Sequence, residues 1–250
     1  MNSTYRAYLV TILLIGFVSE RTQAQFSPSK YEAGINIGSM IYQGDLSEGA
    51  FGYMKTLRPA VGLYAARALD DFFSVRANLD FGSILGDDRA YSSPAYRRFR
   101  ALSFSSSVTE VSGTFVWHIM GNTYSGRSRF SPYLFAGLGA SFLSVKRDWK
   151  NMDLAYFGLQ SEAVKGLGID TMHRTPGVIP VFPVGLGVQY SLTPQLSLTS
   201  ELTYRFTGTD YLDGFSQVAD PKKKDAYYSF TIGIAYRFGS NRMDCPKVPK

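Results

Sequence analysis

A chain of 250 residues that is 45% hydrophobic, 15% aromatic and only 18% charged can bury a core of ordinary size, yet its mean hydropathy of −0.08 excludes a bundle of membrane helices. Two histidines and one cysteine leave no nitrogen and sulfur metal cluster to assemble. The formal charge of +6 would suit nucleic acid, but the export signal read next argues against that partner and favours lipopolysaccharide phosphates.

Arg6 precedes the one long apolar run, Ala7 to Val18, and Thr22, Gln23 and Ala24 close the segment with small and polar residues. That order is the make-up of a secretory signal peptide over residues 1–24. A single membrane anchor is the competing reading, but the run falls short of the roughly 20 apolar residues a spanning helix needs. The mature chain is then expected to start at Gln25, with no cysteine beside the site to make it a lipoprotein.

From Tyr31 to Phe238 the side chains alternate with period two, the signature of strands. In the first segment Tyr31, Ala33, Ile35, Ile37 and Ile41 share one face, while Glu32, Gly34, Asn36 and Gly38 share the other. Val61 to Leu69, Phe73 to Phe81, Leu134 to Phe142, Phe182 to Leu192, Leu196 to Phe206 and Tyr228 to Phe238 repeat the rule. Leu102 to Ile119 is longer, and Leu102 and Phe104 are out of step with Val111, Phe115 and Trp117, which predicts a bulge. The links after the second and sixth segments are short, the link Gly121 to Ser131 is moderate, and the others are long. Eight strands with short turns at one end and long loops at the other predict an all-β fold, an eight-stranded antiparallel transmembrane up-and-down β-barrel over residues 25–238 with both termini in the periplasm. An exported soluble barrel or sandwich is the alternative, and it does not account for the continuous apolar face Phe230, Ile232, Ile234, Tyr236, Phe238.

In lipid the apolar face points outward and the polar face inward, and eight strands enclose a lumen that side chains fill. The inward set includes Glu32, Arg76, Asp80, Glu110, Glu201, Arg205 and Arg237. Buried charges of both signs require partners, so these residues are expected to pair across the lumen and plug it. His118, beside Trp117, raises the question of a lipid-modifying barrel with a histidine and serine near the membrane boundary, but no serine or carboxylate stands at a spacing that names its partner. The other histidine, His173, carries no motif. The glycine pairs Gly137, Gly139 and Gly185, Gly187 run on into strands instead of helices, which makes them small lumen residues and not phosphate loops.

Basic clusters at Arg97, Arg98 and Arg100, at Lys146, Arg147 and Lys150, and at Lys222, Lys223 and Lys224 fall in the predicted outer loops, where they either meet lipopolysaccharide phosphates or are plainly solvated. Residues 239–250 form a short periplasmic tail rich in Pro, Lys and Arg that holds the one cysteine, Cys245. In an oxidising compartment that thiol is either incidental or the donor of an intermolecular disulfide to a periplasmic partner.

The stretches YEAGINIGSMIYQGDL (Tyr31 to Leu46), PAVGLY (Pro59 to Tyr64), SPYLFAGLG (Ser131 to Gly139), FPVGLGVQYSL (Phe182 to Leu192) and ELTYRFTGTDYLDGFS (Glu201 to Ser216) resemble the PorG-type outer-membrane barrels, a component of the type IX secretion system of Bacteroidota. The likeness covers nearly the whole mature chain, and TDYLD, SPYLFAG and GDL are its most specific parts. LQSEAVKG (Leu159 to Gly166) departs from the Gly-Thr-Glu-Gly-like stretch of many relatives. The resemblance implies a barrel without enzymatic activity or cofactors, which ties a periplasmic ring of a PorK-like lipoprotein and a PorN-like protein to the outer membrane. A structural or adhesive barrel, and a lipid-modifying one, are the other readings.

Overall fold

A computed structural model describes residues 30–47, 54–91, 93–123, 128–219 and 224–238. The expected signal peptide and the tail with Cys245 lie outside the described residues. Eight strands close into one antiparallel barrel in chain order: β1 (Tyr31–Gln43), β2 (Arg58–Ala68), β3 (Phe73–Asp87), β4 (Ser103–His118), β5 (Phe130–Asp148), β6 (Val178–Ser191), β7 (Leu196–Phe206) and β8 (Ala226–Arg237). Closure is the β1–β8 ladder, which runs from Glu32 opposite Arg237 to Gln43 opposite Ala226, and the Phe238 amide donates to the Tyr31 carbonyl beyond it. No strand is left with an open edge, the condition for β-structure in hydrocarbon.

Alternation sets the two faces. Ile35, Ile37, Leu63, Val75, Val111, Leu138, Leu186, Phe230, Ile232 and Ile234 are exposed on the outside, while Glu32, Asn36, Arg76, Glu110, Glu201, Arg205 and Arg237 are buried within. Aromatic residues mark both edges of the apolar band: Trp117, Phe130, Tyr190 and Tyr236 toward the short turns, and Phe81, Phe142, Phe206 and Phe230 toward the long loops.

Beyond the band β3, β4 and β5 continue toward the loops, and there the outward residues become Ser105, Ser107, Ser144 and Lys146. The inward residues change the opposite way. Met40, Tyr42, Ile84, Phe104, Val108, Ile179, Val181 and Tyr227 gather with Leu46, Leu102, Leu167, Leu212 and Phe215 from the loops into one buried apolar cluster. This is why the expected bulge in the fourth strand is absent. Pairing runs unbroken from Phe73 opposite Trp117 to Asp87 opposite Ser103, and likewise against β5. Leu102 and Phe104 face inward because above the lipid the interior is apolar, so the phase shift in the sequence records a change of surroundings and not of register.

β5 is longer than Leu134 to Phe142 for the same reason, since Ser144 and Lys146 point to water. β6 begins before Phe182, and its ladder with β5 skips from Ala136 opposite Val184 to Gly139 opposite Val181. Pro183 lies in the gap with no amide to donate. Over the loop end sit, among the described residues, the α-helices α1 (Tyr96–Arg100), α2 (Leu154–Phe157) and α3 (Glu162–Met172). The divergent LQSEAVKG stretch starts α3, with the Ser161 hydroxyl accepting the Val164 amide at 3.3 Å as its cap.

Ile234, on the outer face of β8, sets a test of the register. Replacing it with Arg near the middle of the band is expected to cost roughly 2–4 kcal/mol in urea titrations of folding into vesicles. An unchanged midpoint would mean a register displaced by one residue.

Candidate functional site: a sealed lumen and a loop-end latch

The inward charges meet across the barrel. Arg76 on β3 forms a two-point contact with the Glu201 carboxylate on β7, and its guanidinium lies between the Tyr64 and Phe135 rings, 5.0 and 4.7 Å from their centroids. Glu201 also accepts the Tyr133 hydroxyl at 2.6 Å. One layer toward the loops, Arg205 on β7 bonds Glu110 on β4, reaches Asp80 on β3 at 3.4 Å, and donates to the Ser229 hydroxyl at 2.8 Å. Tyr227 adds a bond to Glu110 at 2.9 Å.

Glu32 and Arg237 stand opposite each other where β1 meets β8. Glu32 accepts from Gln189 at 2.9 Å and Tyr64 at 3.1 Å, whereas Arg237 donates to the Thr123 carbonyl and hydroxyl and to the Pro194 carbonyl, holding two turns shut. Removing one partner of a buried pair such as Arg76 and Glu201 leaves an uncompensated charge, at a cost of about 3–5 kcal/mol. Two voids of about 20 Å³ each lie in the lumen, room for about one water apiece.

His118 closes the turn end. Its Nδ1 lies 3.1 Å from the Ser131 hydroxyl and its Nε2 lies 3.3 Å from that of Ser74. Ser131 donates its own proton to the Gly121 carbonyl at 2.8 Å, so Nδ1 must carry the hydrogen there and Nε2 accepts from Ser74. Sequence spacing named neither serine, because strand pairing brings them in from β3 and β5. All three residues are buried inside the barrel, away from its lipid face. His173 is at the other end, stacked on Tyr211 with ring centroids 4.0 Å apart.

At the loop end residues 207–219 and Asp225 are latched to β1. The Tyr42 hydroxyl lies 2.7 Å from one Asp213 oxygen and 2.5 Å from one Asp225 oxygen. The carboxylates' other oxygens accept the Phe215 and Leu212 amides at 2.8 and 3.0 Å. One hydroxyl has a single proton to give, so two carboxyl oxygens at this distance require a second proton held on the pair. Burial pushes both carboxyls above the usual carboxylate range, Asp225 up to about 7, with the Asp225 charge acting further on Asp213 and those of Asp210 and Asp45 on Asp225. A Cβ at Gly44 would collide with both the Tyr42 hydroxyl and the Asp225 carboxylate, so glycine there admits the latch. A second anchor is Asp170 on α3, which accepts the Ser216, Gln217 and Val218 amides at 2.9–3.1 Å.

The basic clusters are not uniformly solvated. Arg100 bonds the fully buried Asp88 at 2.6 and 2.8 Å, Arg97 lies 3.6 Å from the same carboxylate, and Arg147 donates to the Asp170, Gly214 and His173 carbonyls. Arg98, Lys146 and Lys150 are left exposed.

A family model described as outer membrane protein beta-barrel domain matches residues 10–238. No curated protein matches the sequence. Among solved structures the chain is similar to Neisserial surface protein A (14% identity, TM-score 0.48, covering 84% of this chain and 98% of that one). It is also similar to OprG from Pseudomonas aeruginosa (13%, 0.46, 85% and 98%) and to Ail, the attachment invasion locus protein of Yersinia pestis, in complex with the heparin analogue sucrose octasulfate (13%, 0.42, 84% and 99%).

Two measurements check these arrangements. Planar-bilayer recordings are expected to show no steady porin-like conductance, and a stable open channel would contradict the filled lumen. For the latch, a folded-state value above the unfolded one means that the contribution is complete below about pH 4 and fades as pH rises through about 7. Limited proteolysis within 207–219 should therefore speed up between pH 5 and pH 9, and Asp225→Asn should flatten that dependence. Equal cleavage at both pH values would rule out proton sharing.

Proposed function

This chain belongs to the outer membrane protein β-barrel family, and we propose that within it the protein is a non-enzymatic anchor that ties the periplasmic ring of a type IX secretion system to the outer membrane. The observation that carries the reading is the convergence of two of the motifs behind the resemblance. GDL (Gly44, Asp45, Leu46) and TDYLD (Thr209 to Asp213) stand at opposite ends of the chain, yet meet at the latch, with Leu46 and Leu212 in one apolar cluster and Asp213 on Tyr42.

Charges paired across the lumen make the surfaces the working parts in this reading. In this reading the short turns and both termini face the periplasm, where exposed Phe72, Ile119 and Met120 offer apolar contact to a PorK-like lipoprotein and a PorN-like partner. Cys245 adds a thiol for an intermolecular disulfide with that lipoprotein. A surface-binding role is the second reading. It is favoured by the exposed apolar patch at the loop end, where Phe99 and Tyr156 stack at 4.0 Å beside exposed Leu154. A lipid-modifying role would need His118 and its serines to reach lipid, and they face the lumen.

The deciding experiment is affinity purification of the tagged chain from outer membranes, with non-reducing electrophoresis and mass spectrometry of its partners. A ring lipoprotein should co-purify, and deletion should stop export through that system. Absence of such a partner with export unchanged would overturn the anchor, and loss of surface attachment alone would favour the second reading.

A further inference from the structure

The loop-end cap holds a cavity of about 400 Å³ between α1, α2, α3 and the segment that ends at Ala219. Its polar wall is Asp45, Arg97 and Arg100, and Tyr96, Phe157 and Val218 supply apolar surface. Size and make-up match a small-molecule pocket, which takes about 300–1,000 Å³ of apolar wall with a few convergent polar groups. The aromatic surface continues past the rim. Tyr156 meets the Phe157 ring at 5.0 Å and lies parallel to Phe99 at 4.0 Å, and Tyr96, Phe99 and Tyr156 are all exposed.

Arg97 is the group that the fold leaves incomplete. It is 9% exposed, its Nη2 donates to the Ser47 carbonyl at 3.0 Å, and its Nη1 stops 3.6 Å from the Asp88 carboxylate that Arg100 holds from two sides. Nε and Nη1 have no hydrogen-bond acceptor among the described residues. Buried donors without an acceptor are costly, and here the side chain that carries them also lines a cavity.

The charges around the cavity balance. Asp88 and Asp45 stand against Arg97 and Arg100, so no net positive potential selects an anion. What remains is a set of donors, a carboxylate acceptor and aromatic faces. A ligand rich in hydroxyls answers all three, because each hydroxyl both accepts and donates and the C–H face of a sugar ring packs on an aromatic ring.

We propose that this cavity binds one residue of a neutral oligosaccharide, with Arg97 donating to its oxygens, Asp45 accepting from its hydroxyls and the Phe99–Tyr156 pair carrying the next residue. An extended peptide is the weaker occupant, since the closed sheet offers no strand edge to pair with its backbone. The inference stands whether or not the barrel anchors a secretion ring.

The test uses the full barrel in an amine-oxide detergent, which carries no sugar, on an array of neutral, sialylated and sulfated oligosaccharides with a set of peptides beside them. Neutral oligosaccharides should bind, and the strongest of them is then titrated by calorimetry. Arg97→Gln and, separately, Tyr96→Ala should each weaken that binding about tenfold, equivalent to about 1.4 kcal/mol. Ala163→Leu should abolish it by filling the cavity. Heat-modifiable migration on gels verifies folding, and Tyr96→Ala, which alters an exposed ring, keeps the test decisive if Arg97→Gln does not fold. No neutral oligosaccharide bound, binding of acidic glycans or peptides alone, or affinity unchanged in the folded variants would each overturn the assignment.

Discussion

The ladder between β1 and β8 is the interaction on which everything else in this barrel depends. In hydrocarbon an unpaired amide or carbonyl finds no water, so the sheet must end on its own first strand, and that closure encloses a narrow interior. Once the outside belongs to lipid, the polar half of every strand is forced inward. The interior is then stable only if the groups gathered there satisfy one another. Arg76 with Glu201, and Arg205 with Glu110 and Asp80, are the consequence, bridging strands that are not neighbours in the sheet.

The same tube changes solvent along its length. At the level of the lipid-facing band the core is a hydrogen-bonded polar network. Above it, where Ser105, Ser107 and Ser144 face water, the core becomes apolar and resembles that of a soluble domain. Loops at this end are therefore folded down onto the barrel by burial of Leu102, Leu212 and Phe215, and fastened by a few buried polar groups. Tyr42, Asp88 and Asp170 are the fasteners, and each is fully buried and bonded to a segment distant in sequence or to a buried arginine.

This division also places what the protein can offer to others. Side chains pair across the lumen, and the barrel presents outward its turn end, its loop end and its lipid face. The turn end is held by Arg237 and His118, the loop end is a packed cap with an exposed aromatic patch, and the lipid face carries a trough of small residues beside Arg67.

Alternation alone determined the strand count, the lipid-facing set and the inward charges, because a period of two is a local property that each strand carries in its own residues. Pairing was another matter: that Arg76 takes Glu201 and Arg205 takes Glu110 follows from which inward positions share a level across the lumen, a consequence of register between strands far apart in sequence. The misread fourth strand has the same origin, since whether Phe104 belongs to lipid or to a core depends on its height in the barrel. His118 acquired Ser74 and Ser131, and Tyr42 acquired Asp213 and Asp225, across separations of up to 183 residues. The trough at Gly113 exists only because four small residues, one per strand, come level when the sheet is paired. Hydrophobic pattern is written along the chain, whereas contacts between side chains on different strands are decided by closure of the sheet.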